Sequence, residues 1–140
     1  MKQGIHNIGF SVLFILGVLL TGTASCQQTQ SKLQQAPETG YTLLKTKKGK
    51  EGLVSELWTY GNDTSKYLIR KYRYNKLITI SHYEQGKANG YIMMANDSGV
   101  ILLEGAMKDG KRHGIFKNYD DTGKLLSTMT YENDSLIENK

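Results

Sequence analysis

The sequence of 140 residues holds one cysteine and three histidines, and its only long apolar run is about ten residues. A lone cysteine excludes an intramolecular disulfide. His82 alternates on a strand between Ser81 and Tyr83 with no second His or Cys at ligand spacing, so no metal site is expected. Also missing are a Gly-x-Ser-x-Gly elbow, a phosphate-cradling glycine loop ahead of a helix, and a Cys-His pair. These absences remove the common hydrolase, nucleotide-binding and thiol chemistries, and no enzyme, cofactor or small-molecule substrate is expected.

The apolar run is Ser11 to Leu20, after a polar start carrying Lys2. A membrane-spanning helix needs roughly 20 apolar residues, so this run has the length of a signal-peptide core. Small residues follow in Thr21-Gly-Thr-Ala-Ser-Cys26, which resembles the lipobox of bacterial lipoproteins. The resemblance implies cleavage before Cys26, acylation of its thiol, and a lipid-anchored place in the cell envelope, facing the periplasm. Ordinary cleavage near Ala24 or Ser25 is the alternative and would leave a free thiol. Residues 1–25 are thus read as a leader. Residues 26–41, polar and rich in Gln, are read as a tether with a reach of roughly 20 Å.

Charge is unevenly spread over a formal net of +5. Lys45 to Lys76 holds nine basic and three acidic residues, whereas Asn118 to Lys140 holds two and five. A basic half can attract nucleic acid or anionic head groups. An exported chain rarely meets nucleic acid, so none is expected as a partner.

The remaining chain repeats itself. Gly86-Lys-Ala-Asn-Gly90 recurs as Gly110-Lys-Arg-His-Gly114, and Asn96-Asp-Ser-Gly99 recurs at the same offset as Asp120-Asp-Thr-Gly123. Without gaps, that offset divides the chain into units starting at Thr42, Lys66, Gly90 and Gly114. It aligns Leu44, Leu68, Ile92 and Phe116; Leu53, Leu77, Ile101 and Leu125; Val54, Ile78, Leu102 and Leu126; and Thr59, Tyr83, Met107 and Tyr131. Each unit has two β-prone runs joined by Asx-Gly turn chemistry, which is a hairpin. Alternation places Leu125, Met129 and Tyr131 on one face and Leu126 on the other. The fold expected for residues 42–140 is all-β: a single-layer antiparallel meander of about four tandem 24-residue hairpins.

Tyr83-x-x-Gly-Lys-x-x-Gly90 and Asp109-Gly-Lys-Arg-His-Gly-Ile-Phe-Lys-Asn-Tyr-Asp-Asp-Thr-Gly-Lys-Leu-Leu126 resemble the MORN-repeat variant of the YwqK-type antitoxin family. In that family a Gly begins each hairpin, aromatics follow, and Gly-Lys-Leu opens the return strand. Phe116, Tyr119, Gly123, Lys124 and Leu125 stand at those places here, with Gly86, Gly90, Gly99, Gly110 and Gly114 as the matching turn and start glycines. The resemblance implies hairpins stacked side by side with atypical end units, and by its name an antitoxin-like or immunity role.

Asp97-Ser-Gly99 and Asp121-Thr-Gly123 have the form of an aspartic-protease dyad, in which two carboxylates share a proton. They fall in the turn column of the repeat, where Arg73 and Gly49 stand in earlier units, so a turn explains them. His113, in the column of Asn89 and Ser65, reads as a loop spacer. The surface candidate is the aromatic and basic cluster Trp58, Tyr60, Tyr67, Arg70, Tyr72, Arg73 and Tyr74, rich in the residue types that dominate binding hot spots. Solvated strand positions are its plain reading. Its functional reading is an interface for an unidentified protein partner or, alternatively, for anionic head groups.

Overall fold

A computed structural model describes residues 39–140; the leader, Cys26 and most of the tether lie outside them. Ten strands follow one another along the chain: β1 (Tyr41–Lys48), β2 (Leu53–Tyr60), β3 (Asp63–Arg73), β4 (Lys76–Glu84), β5 (Lys87–Ala95), β6 (Ile101–Lys108), β7 (Lys111–Arg112), β8 (Gly114–Tyr119), β9 (Leu125–Glu132) and β10 (Ser135–Asn139). They form one sheet in which spatial order follows chain order, with β7 and β8 both pairing β6. Every pairing is antiparallel. The fold is therefore an all-β, single-layer hairpin meander, with β1 and β10 at its edges among the described residues.

Turn chemistry sets the cadence. The connections between units are two-residue turns at Gly61-Asn62, Gln85-Gly86, Asp109-Gly110 and Asn133-Asp134, evenly spaced along the chain at the repeat interval. Gln85 and Gly86 (φ 49° and 78°) and Asp109 and Gly110 (φ 51° and 82°) share the doubly positive backbone that matches strand twist. Within units three and four the return is wider. Asn96 N–H donates to Val100 O, and Asp120 N–H donates to Lys124 O, both at 2.9 Å, around Gly99 and Gly123 at φ 84°.

Side-chain oxygens hold these wider turns. Asn96 Oδ1 accepts from the Ser98 and Val100 N–H groups, and Asp120 Oδ1 accepts from the Thr122 and Lys124 N–H groups and the Thr122 hydroxyl. The Thr122 hydroxyl, then the Lys124 amide, hold the Asp120 carboxyl below its ordinary value of 3.8. A depressed folded pKa adds stability above pH 3.8 that is lost as pH falls through the folded value. Since Asn96 makes the equivalent bonds, Asp120→Asn is expected to keep the turn but lose less stability on acidification than the parent. Melting both proteins at neutral pH and at pH near 3 checks this; equal acid losses would refute it.

Opposed residues share a sheet face and neighbours along a strand alternate. The ladders then place Glu56, Arg70, Ile80, Met93, Glu104, Lys117 and Thr128 in one row straight across the sheet. The face carrying that row holds the core: Leu77, Ile80, Met93 and Ile101, with Tyr72, Tyr91, Ala95 and Tyr119 packed against them. This is the core face. The opposite, far face carries Tyr67, Ile69, Tyr83, Ile92, Phe116 and Tyr131. Burial is not confined to one face, since Phe116 and Tyr131 are also buried.

Two expectations about register need correcting. Ile78, Leu102 and Leu126 are the extra residues of three recurring β-bulges, because Tyr72 pairs Leu77 while Lys71 pairs Thr79, and Met94/Ala95 and Asn118/Tyr119 repeat the pattern. A bulge breaks simple alternation. Leu125 therefore stands opposite Tyr119, on the core face, and not with Met129 and Tyr131. The gapless alignment of the repeats also hides two compensating changes. In unit two the return is the two-residue Tyr74-Asn75 turn, and β3 is one residue longer before it. Leu68 consequently faces the core side, while Ile92 and Phe116 face the far side, and Ile69 is their structural counterpart.

Gly114 opens β8 at φ 85°, and Gly90 lies inside β5 at φ 104°, where the pairing with β4 shifts register; both are left-handed backbone that a side chain resists. That is a physical reason for a glycine at the first position of each of these two units. Gly105 has a different role: the Phe116 ring lies over it, 2.5 Å from where a Cβ would stand.

Candidate functional site

The sheet divides the aromatic and basic cluster. Trp58, Arg70 and Tyr72 lie on the core face, around Glu56. Trp58 Nε1–H donates to Glu56 Oε2 at 2.9 Å, and the Tyr72 hydroxyl donates to the same oxygen at 3.1 Å. Arg70 is buried across the ladder from Glu56, its guanidinium 5.5 Å from the Tyr72 ring centre. Burial first, with the Glu56 charge opposing ionisation, pushes the Tyr72 hydroxyl up to about 12 against the pull of Arg70. Tyr60 continues this face and meets Tyr41 edge-on at 5.3 Å.

The other three lie elsewhere. Tyr67 is on the far face, stacked on Tyr83 at 5.0 Å. Arg73 Nη1 donates to Asp97 Oδ2 at 3.2 Å, a contact that ties unit two to the turn of unit three. Tyr74 caps the turn and packs on Gly52. The seven residues are thus no single patch. Adjacent strand residues point to opposite faces, and a run such as Arg70 to Tyr74 cannot form one surface.

A second carboxylate completes the pattern. Glu104, two repeat lengths after Glu56, accepts from the Tyr91 hydroxyl at 3.1 Å and the Tyr119 hydroxyl at 2.6 Å, with Lys117 Nζ at 3.7 Å. Burial, then the Glu104 charge, pushes the Tyr91 hydroxyl well above the ordinary tyrosine range. Each Glu thus holds two aromatic donors and faces a cation across the ladder, Arg70 or Lys117. The double-repeat spacing was a readable signal, but an isolated Glu in a strand looks like any solvated position. Each carboxylate thus anchors two aromatic side chains.

Asp97 and Asp121 lie in separate hairpin turns, and Asp97 is engaged by Arg73. His82 Nδ1–H donates to the Tyr91 carbonyl at 2.8 Å, with its ring edge-on to Tyr41 and Tyr91. His113 separates β7 from β8, its N–H donating to Ala106 O. The sheet carries a cavity on each face. One of about 310 Å³ lies on the core face by Tyr91, Glu104 and Ile115, and one of about 360 Å³ lies on the far face by Ile92, Phe116 and Met129. Both are open and lined mainly by apolar atoms.

These features define a class: an open hairpin-repeat sheet whose two faces present aromatic and aliphatic side chains. Comparison with protein-family models and with curated proteins finds no match. Among solved structures the chain is similar to a crystal structure of TarM, with a TM-score of 0.38 and 12% identity over 84% of this chain and 24% of that one. A second is a variant of S. aureus TarM in complex with Fondaparinux, alpha-GlcNAc-glycerol and UDP, with a TM-score of 0.37 and 11% identity over the same shares. The chain spans about a quarter of the length of those proteins. Likeness at this level carries no argument about function.

Proposed function

We propose that this chain is a non-catalytic, protein-binding envelope lipoprotein of the MORN-variant type, held to a membrane through Cys26. The observation that carries the reading is the single layer, whose faces no other element covers among the described residues. Large apolar side chains stand exposed on it, among them Met94, Ile115, Leu125, Leu126 and Leu136. Met94 and Leu136 stand on the far face and Ile115 and Leu125 on the core face, so both faces offer apolar groups of the kind that interaction sites use. The cavities are open and lined mainly by apolar atoms, Glu104 beside one is engaged by Tyr91 and Tyr119, and Asp134 beside the other by Arg112, which suits recognition by packing better than chemistry. An antitoxin-like role rests on the sequence resemblance alone.

Cross-linking in intact cells is expected to trap one protein partner whose complex largely persists at high ionic strength, because a packed interface is screened little. A second reading, attachment to anionic head groups, is favoured by the exposed lysines Lys45, Lys47, Lys48 and Lys50 on and beside the edge strand β1. That attachment would fade with salt. Recovery of lipid and bulk envelope proteins only would remove the protein-binding reading.

A further inference from the structure

Ionic side chains in this sheet are sorted by face. The ladders put Glu56, Glu84, Glu104, Glu132 and Glu138 all on the core face. Asp63, at the irregular start of β3, is occupied by the Ser65 amide and hydroxyl. The far face carries Lys45, Lys47, Lys71, Arg73, Lys76 and Arg112 in its ladders and no Glu. Arg73 is engaged by Asp97, and Arg112 lies over the Tyr131 ring at 4.1 Å and pairs with Asp134 in the adjoining turn. Lys45, Lys47, Lys71 and Lys76 are exposed and make no ion pair among the described residues. These cations stand on the face whose ladders hold no carboxylate, whereas the core-face lysines share theirs with the glutamates.

The same face is apolar between its cations. Leu57, Ile69, Ser81, Ile92 and Gly105 run across it in one row, and the Phe116 ring lies over Gly105. Beyond Ile92 lies the cavity of about 360 Å³, walled by Leu103, Met107, Phe116 and Met129, with the Arg112–Asp134 ion pair also lining it. Strands lie about 4.8 Å apart, so Lys71 on β3 stands roughly 10 Å from β5 at the cavity wall, and Lys45 and Lys47 on β1 roughly 20 Å. An extended segment a few residues long spans the first distance.

We propose that the far face is the docking surface for an acidic, amphipathic polypeptide segment, which seats a large apolar side chain in the cavity and sets its carboxylates against Lys71, Lys45 and Lys47. This rests on the protein-binding reading above and supplies the face and the partner chemistry. Phe116 on the cavity wall is only 3% exposed, and a concave apolar site with cations beside it suits an apolar side chain flanked by carboxylates. Met94 and Leu136 project from the same face, so membrane association is the outcome that the vesicle arm of the test tells apart. Met94, Met107 and Met129 on this face supply adaptable contacts.

The test is selection of random displayed peptides on the full-length chain, followed by binding measurements with the best synthetic peptide. Selected peptides are expected to be enriched in Asp and Glu around a Leu, Phe or Trp. The triple variant Lys45→Glu, Lys47→Glu, Lys71→Glu is expected to weaken the best peptide roughly tenfold or more. Its control, Lys87→Glu, Lys108→Glu, Lys111→Glu, makes the same charge change at exposed core-face positions and is expected to change binding by less than about threefold. Circular dichroism confirms that both variants remain folded. Enrichment of neutral or basic peptides, or equal losses in the two variants, overturns the far-face assignment and leaves protein binding standing. No enriched peptide, with the chain instead sedimenting on phosphatidylcholine vesicles containing phosphatidylglycerol, overturns both.

Discussion

Met93→Ala is expected to destabilise the protein by about 2–5 kcal/mol, the range for emptying a fully packed methionine site. Met93 is 1% exposed, midway along the row that crosses the sheet, between Ile80 and Glu104. No second sheet among the described residues fills the gap, so relaxation is confined to the rings of Tyr72, Tyr91 and Tyr119, and Glu104 holds Tyr91 and Tyr119 in place. Folded domains have a margin of roughly 5–15 kcal/mol, so the loss takes a large share of it. The adjacent residue is the control. Met94 points to the far face and is 56% exposed, so Met94→Ala is expected to change stability by no more than about 0.5 kcal/mol. Urea unfolding of the two variants measures the contrast; similar losses would mean that the face assignment is wrong.

Gly105→Ala is the second large effect, and its sign is diagnostic. Gly105 sits mid-strand without a positive φ, where alanine ordinarily raises stability by roughly 0.5–1 kcal/mol. Here its Cβ would stand 2.5 to 2.7 Å from three atoms of the Phe116 ring, closer than carbon atoms approach. The ring cannot simply swing aside, because Tyr131 meets it edge-on at 5.4 Å. A net loss of about 1–3 kcal/mol is therefore expected, typical of overpacking. Phe116→Leu in the same chain is expected to recover part of it, with a coupling of at least about 0.5 kcal/mol. A stabilising Gly105→Ala, or strictly additive effects, would show that the ring does not rest on that glycine.

The two substitutions mark where sequence reading stops. Met93 and Met94 are chemically identical neighbours, and only the ladder distinguishes a core residue from a surface one. Gly105 looks like a weak spot in a β-run, and the reason for it lies on another strand, in Phe116 of β8. The hairpin cadence, by contrast, was legible, because a glycine or Asx at a fixed interval encodes a local backbone requirement. The apolar columns were legible as β-structure and misleading as faces. Leu68 aligns with Ile92 and Phe116 by spacing yet lies on the other side, since the longer β3 and its shorter turn cancel in length but not in alternation. The candidate cluster from Trp58 to Tyr74 failed as one surface for the same reason, and Glu56 and Glu104 were overlooked because, Trp58 apart, their partners lie on other strands.

From its sequence alone the chain determined that it would fold as repeated hairpins, and where each would turn, because turn formation depends on residues close together along the backbone. The tertiary structure decided which side of the sheet each residue faces, where carboxylates and free lysines separate, and which ring rests on which glycine. One bulge reverses the side of everything beyond it, and cross-strand neighbours are set by pairing between strands, which no local pattern records.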